Sequence, residues 1–508
     1  MRIKRFPEDI RPYLIPQPAG EMVYRCLGCS ETFGIDELHY VCPHCRQVLL
    51  IEDLESYRLK ERSGALWHQI FDYRKMLNHP ALKGIYRYHE FIGPVLPLDS
   101  IVYLGEGGTP LIEGNQLLQE RVGLKLYVKN EGQNPSASFK DRGMASAFSY
   151  LSYMIRTGQL ADILAVCAST GDTSAAAALY AAYMSQSIKS AVLLPHGKVT
   201  PQQLSQPLGS GAQVFEIPGV FDDCMKVVEK LSETYQVALL NSKNAWRILG
   251  QESYAYEIAQ DFDYDLKNIV VVVPIGNAGN ITAIMRGFLK FQDAGIISHL
   301  PKIIGVQSEH ANPVYRYYLE PDPKQRRFEP VTVRSSVAQA AMIGNPVSMP
   351  RVIHLVEHYQ RRSEGDVYFV QVTEQDIMDW QMVANRNGHI ACTHGGECLA
   401  GIVRAIELGY VTADETAILD STAHALKFAG FQELYFEDRF PPEFDIRPKQ
   451  ELKNRPVLVT PEDIEALPQA GKPLKGEAFE KFVDHVARDI ANTLKLKALP
   501  CVDSDRPL

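Results

Sequence analysis

The chain has 508 residues, 45% of them hydrophobic, with 35 glycines and 31 prolines. That length supports two to four domains with large cores and excludes a collagen-like or broadly disordered chain. A formal net charge of −9 over mixed signs argues against a nucleic-acid partner, which needs a concentrated basic face.

Residues 1–20 read as an N-terminal arm, with early acids and prolines and no apolar stretch of signal-peptide length. No run of about 18 apolar residues appears, so no membrane partner is expected and the location reads as cytoplasmic. Residues 21–52 hold two CxxC pairs, Cys26/Cys29 and Cys42/Cys45. Each pair can point two thiolates at one ion, and together they complete a tetrahedral sulfur site. A closed four-sulfur site is structural: zinc, or an iron centre of rubredoxin type with the same ligands. Val41, Val48, Leu49 and Leu50 would give two short strands of a zinc ribbon, with folding energy supplied by the metal. Cys167, Cys224, Cys392, Cys398 and Cys501 are scattered and read mostly as small buried apolar residues.

Residues 53–100 read as a helical linker region. IVYLGEGGTP (101–110) reads as a strand and a Gly-rich turn, and LKLYVKNE (124–131) as a strand. A helix is expected from Ser138, a strand at 163–169, and an Ala-rich helix from Gly171. Strands follow at 191–195 and 212–217, and the helix between them is expected to be broken by Pro207 and Gly209. Further strands read at 269–276, 302–308, 366–372 and 416–420, alternating with helices. Short apolar strands alternating with helices mean α/β architecture with open, mostly parallel sheets covered on both faces. Residues 431–508 read as a C-terminal extension with one helical stretch, packing on the core or on a partner.

Several turns carry residues suited to chemistry. In NPSASFKDRG (134–143), Lys140 stands where a loop becomes a helix; a lysine attacks carbonyls only when unprotonated, which needs a partly apolar, positively biased site. Alone, such a lysine is more often a solvated first-turn residue. PIGNAGN (274–280) follows an apolar strand, so Gly276 and Gly279 allow close backbone approach and the next helix could offer amides to a phosphate, although a plain tight turn accounts for the motif equally well. Ser169, Thr170, Thr173 and Ser174 offer hydroxyls around Gly171 at the carboxyl end of a strand, where a substrate carboxylate could sit, although plain N-capping also accounts for them. Asn241, Ser242 and Arg247 in NSKNAWR could clamp a phosphate, and Ser421 and Thr422 in LDSTAHALKF could meet a ring nitrogen. ACTHGGECLAG, with Cys392 and His394, reads as a turn that lines or supports the cleft rather than as a catalytic thiol.

Over roughly residues 100–430, EGGTPL, NPSASFKDRG, STGDTSAAA, NSKNAWR, PIGNAGN and STAHALKF stand in the order found in the tryptophan-synthase-β-like, fold-type II group of pyridoxal-phosphate enzymes. NSxNxxR and STAH resemble the threonine synthase family within it. The resemblance implies two open, mostly parallel sheet domains, with a catalytic core at 101–430 and a smaller subdomain at roughly 145–240. It implies that Lys140 holds pyridoxal 5'-phosphate and is catalytic, and that Gly276, Asn277, Ala278, Gly279 and Asn280 cradle the cofactor phosphate. Thr422 would face the pyridine nitrogen. Asp172, where many relatives have Asn, would lie at the cofactor in a role the resemblance does not define. Ser169, Thr170 and Thr173 would take the substrate carboxylate; Asn241, Ser242 and Arg247, with Ser138, would take its phosphate. The implied reaction is γ-elimination of phosphate from O-phospho-L-homoserine and β-addition of water, giving L-threonine, in a homodimer. Alternatives are a threonine or serine dehydratase, a cysteate synthase, and a non-catalytic protein that binds zinc and cofactor.

Overall fold

The computed structural model describes residues 3–161, 163–169, 171–196, 201–219, 221–363, 366–460 and 467–499. They fall into two compact units, Met1–Leu452 and Lys453–Leu508.

Three strands, β1 (Met22–Cys26), β2 (Thr32–Gly34) and β3 (Leu49–Asp53), form an antiparallel sheet in the order β2-β1-β3 around the cysteine pairs. The two-strand expectation missed the pairing of Tyr24 with both Phe33 and Ile51. The strands that follow are β4 (Leu111–Glu113), β5 (Lys125–Asn130), β6 (Ile163–Ala168), β7 (Ile188–Pro195), β8 (Gln213–Ile217), β9 (Val237–Leu239), β10 (Ile269–Pro274), β11 (Lys302–Ser308), β12 (Val367–Val372) and β13 (Thr416–Ser421). They build a six-stranded sheet, β12-β11-β10-β13-β5-β4, and a four-stranded sheet, β8-β7-β6-β9. All pairs are parallel except β4 with β5. β10 (IVVVVP) is buried along its whole length because it has a parallel neighbour on each side and helices over both faces.

Two elements differ from the sequence reading. Residues 101–110 are not a strand: Gly105, Gly107 and Gly108 take φ of +109°, +77° and +60°, and pairing begins only at Leu111. The helix Pro201–Gly209 runs through Pro207. It gives up one intrahelical bond there, and the turn comes later, at Gly211 with φ +75°.

Helix packing positions the cleft. The helices Lys140–Arg156 and Ala245–Gln251 meet at Gly143 and Gly250. A Cβ on Gly250 would lie 2.2 Å from the Arg142 carbonyl oxygen, so only glycine lets the backbones come this close. On its other side, the second helix touches the Gly279–Asp293 helix, where a Cβ on Gly279 would meet Ile248 Cδ1 at 3.0 Å.

In the second unit, the helix Glu477–Leu494 carries Phe479, Val483 and Ile490 exposed. No helix among the described residues is long and apolar enough to cross a membrane.

Gly250→Ala is expected to destabilise the fold by about 2–3 kcal/mol in equilibrium urea unfolding. A change within about 0.5 kcal/mol would contradict the close helix contact.

Candidate active site

The residues singled out in the sequence converge at the carboxyl ends of adjacent strands. β10, β13 and β5 are neighbours in the large sheet and lead into Gly276, Thr422 and the Lys140 loop. β6 and β9 are neighbours in the small sheet and lead into Ser169 and Asn241. Open parallel sheets place ligands at this edge.

Lys140 begins its helix, and its Nζ sits 4.1 Å from the Phe139 ring centroid. Its loop is sewn to the end of β13. Phe139 N donates to the Thr422 carbonyl at 2.9 Å, and His424 N donates to the Ala137 carbonyl at 3.0 Å. Burial holds the Lys140 amine down to about 7, and Arg247 adds to the effect; Asp172 and Asp420 oppose it. Two residues on, Arg142 is fully buried and anchors the segment. Its Nε and Nη2 donate to Glu131 at 2.7 Å each, and its Nη1 and Nη2 donate to Glu257 at 2.8 and 2.7 Å. Burial would raise the Glu257 carboxyl, but Arg142 and Lys129 hold it well below the usual carboxylate range. Gly108 N also donates to Glu257, at 2.7 Å, so the Gly-rich turn joins this network.

The glycine loop has the shape of an anion cradle. Ala278 adopts φ +61°, and a Cβ on Gly276 would lie 2.9 Å from Ala341 Cα. Gly279 and Asn280 open the helix, whose first amides have no intrahelical acceptor. The Asn277 side chain and carbonyl accept from Val347 N and Ser348 N at 3.4 and 3.2 Å. Asn280 Nδ2 is turned away to Asp420 Oδ2 at 2.6 Å, so its backbone amide is what remains for a phosphate. Burial pushes the Asp420 carboxyl well up, with nearby Glu131 adding to the effect. Thr422 is buried, with its hydroxyl 4.0 Å from Cys392 Sγ.

On the small-sheet side, Ser169 Oγ accepts from Gly171 N at 3.3 Å, and Thr173 lies half-buried in the first turn of the next helix. Thr170 lies outside the described residues. The Asp172 carboxylate pairs with Lys427 Nζ at 2.9 Å, and Lys427 also donates to the Ser136 carbonyl at 2.8 Å. Asn241 spends Oδ1 on Lys243 N at 3.0 Å, closing its own turn. Asn244 caps the following helix, accepting from Trp246 N and Arg247 N at 2.9 and 3.4 Å. Arg247 is buried with no carboxylate partner among the described residues; Nη1 donates to the Leu240 carbonyl at 3.0 Å and Nε has no acceptor. Burial pushes its guanidinium down to about 10. The Ser138 hydroxyl is likewise buried without a partner. Two orphaned donors next to a lysine fit an anionic ligand group.

The four cysteines Cys26, Cys29, Cys42 and Cys45 have their sulfurs within 4.8 Å of one another. Cys26–Cys45 and Cys29–Cys42 are 3.3 and 3.6 Å apart, near the edge of about 3.8 Å of a tetrahedron with 2.3 Å metal–sulfur bonds. Gly28 N and Cys29 N point at Cys26 Sγ and Cys45 N at Cys42 Sγ, as suits thiolate ligands.

Sequence reasoning assigned no role to Lys427, Asp420, Asn244 or Arg142. Asn244 was findable as a cap residue directly before a helix. The other three act through partners on other elements of the fold, which spacing does not reveal.

Residues 102–420 match the family model described as pyridoxal-phosphate dependent enzyme. The chain is 36% identical over 408 residues to a threonine synthase of Methanocaldococcus jannaschii, covering 80% of this chain and 93% of that one. It is 33% identical over 405 residues to the chloroplastic threonine synthase 2 of Arabidopsis thaliana, covering 78% and 75%. Its fold is that of the crystal structure of threonine synthase from Escherichia coli, with TM-score 0.62 at 19% identity over 83% of this chain and 94% of that one. The sheets are accordingly those of the tryptophan-synthase-β-like fold, and the chain belongs to the threonine synthase family of pyridoxal-phosphate-dependent enzymes.

Proposed function

We propose that this chain converts O-phospho-L-homoserine and water to L-threonine and phosphate, with Lys140 as its catalytic amine. The observation that carries the substrate choice is Arg247, a buried guanidinium with an unused Nε and no carboxylate partner among the described residues, close enough to depress Lys140. A dehydratase acting on a free hydroxyl has no use for a second anion site beside the lysine.

Pyridoxal phosphate, when bound, supplies an electron sink for negative charge developing on the substrate carbons. Gly276, Asn277, Ala278, Gly279 and Asn280 would hold its phosphate with backbone amides, and the Thr422 hydroxyl would meet its ring nitrogen without forcing protonation. Asp172, fixed by Lys427, raises the proton affinity of Lys140 against the pull of burial and Arg247. Ser169, Thr170 and Thr173 orient the substrate carboxylate. Arg247, Ser138, Asn241 and Ser242 hold the substrate phosphate. Lys140, near neutral in its amine, removes protons at Cα and Cβ in turn and returns them. The cysteines hold a structural zinc, and the chain acts as a cytoplasmic homodimer.

Purified protein given O-phosphohomoserine should release threonine and phosphate in equal amounts, and Lys140→Ala should cut turnover by roughly 10³-fold or more. No turnover of O-phosphohomoserine, with 2-oxobutyrate released from threonine instead, would replace the proposal with a dehydratase.

Because the Lys140 amine is held down to about 7, uptake of pyridoxal phosphate by apo-protein should have a pH-dependent rate. Below pH 7 the neutral amine is the minor form, so the rate should fall about tenfold per pH unit; above 7 it should level off. A rate still climbing at pH 9 would contradict the depressed amine.

Elemental analysis should find one zinc per chain, lost in Cys45→Ser. Iron in its place, or folded wild-type protein without metal, would count against the zinc assignment.

A further inference from the structure

Arg351 is fully buried on the helix Met349–Arg362, and no carboxylate pairs with it among the described residues. All five of its N–H groups are nevertheless used. Nε and one Nη2 hydrogen go to the Leu49 carbonyl at 3.1 and 2.8 Å, and Nη2 also reaches the Lys243 carbonyl at 3.0 Å. Nη1 donates to the Ser242 carbonyl and to Ser348 Oγ, both at 3.0 Å. These anchors belong to three different parts of the molecule. Leu49 opens β3 and pairs with Cys26 in the cysteine-bearing sheet. Ser242 and Lys243 form the turn between Asn241 and the Arg247 helix. Ser348 N holds the Asn277 carbonyl in the glycine loop at 3.2 Å. The same sheet also meets the Arg247 helix directly: Trp246 Nε1 donates to the Tyr24 hydroxyl at 3.0 Å, and Leu27 and Leu50 pack with Ile248.

We propose that Arg351 is a positioning residue for the substrate phosphate, fixing the Asn241–Asn244 turn against the sheet that the four cysteines hold. Loss of the metal is then felt at the cleft as weaker phosphate binding. The inference rests on the reading of Asn241, Ser242 and Arg247 as the substrate-phosphate site. A lysine at position 351 keeps the charge but, as a point donor, cannot span three carbonyls.

The test uses the full-length holoenzyme. Arg351→Lys should raise KM for O-phosphohomoserine and the inhibition constant of inorganic phosphate by about tenfold each. Its kcat should stay within about threefold, with cofactor absorbance retained. Cys45→Ser should shift both constants the same way, and the double variant should show less than the product of the two effects. Independent, multiplicative effects would overturn the link to the cysteine sheet. A fall in kcat and cofactor content at constant KM would mark a merely structural role and overturn the proposal. Arg247→Lys separates the two readings. If it raises both constants and Arg351→Lys raises neither, the positioning role falls alone; if neither variant raises them, the phosphate-site reading falls and takes this inference with it. Should Arg351→Lys not fold, Ser348→Ala removes one of the five bonds and should raise both constants about twofold to threefold; no change overturns the proposal.

Discussion

Arg142 has no access to water and is held between two buried carboxylates, Glu131 and Glu257. Glu131 follows the carboxyl end of β5, whereas Glu257 stands on the helix Ser253–Asp261. Removing one member of such a cluster leaves an uncompensated buried charge and costs about 3–5 kcal/mol, so the three groups hold or fail together. Lys140 lies two residues before this anchor, and its loop is tied to β13 by backbone bonds on the other side. The Lys140 amine can therefore sit in a desolvated place with no hydrogen-bond or ion-pair partner among the described residues, because its position is set by Arg142, whose guanidinium is fully paired, and by the backbone bonds of its loop.

The same arrangement explains how the amine and the proposed phosphate-binding groups come near one another despite their like charge. Helices carrying Lys140, Arg247 and the glycine loop meet through Gly143, Gly250 and Gly279, which bring the backbones closer than side chains would allow. Lys140 and Arg247 are like charges, and each is pushed down from its ordinary value chiefly by burial. A dianionic substrate group placed by Arg247, as proposed, would relieve that opposition, and its binding energy would then also settle the charge state of the cleft. Asp172 and Lys427 form a closed pair beside it and add little net charge.

Much of this was legible in the chain. The continuous apolar run at 269–274 followed by PIGNAGN marks a buried parallel strand and a tight turn into a helix, and both stand where the pattern puts them. The two CxxC pairs announce their own convergence, which the sulfur positions bear out. Residues 101–110 misled because their apolar start has strand composition, while three left-handed glycines decide the backbone. Pro207 misled because a helix can lose one bond and continue. Arg142, Arg351 and Asp420 could not be read at all as buried: a charged residue looks solvent-facing in sequence, and its partners here lie up to 302 residues away. The roles of the individual cleft residues rest on the proposed chemistry, and one of them, Thr170, lies outside the described residues.

On the proposed chemistry the cleft binds two separate phosphate groups, one on the glycine loop and one on Arg247, with Lys140 between them in function. Phosphorus NMR of the holoenzyme titrated with inorganic phosphate tests it most directly. A second bound resonance, distinct from that of the cofactor, should appear and should disappear in Arg247→Ala while the cofactor signal stays. A single bound resonance throughout the titration, or a second one untouched by Arg247→Ala, would contradict it.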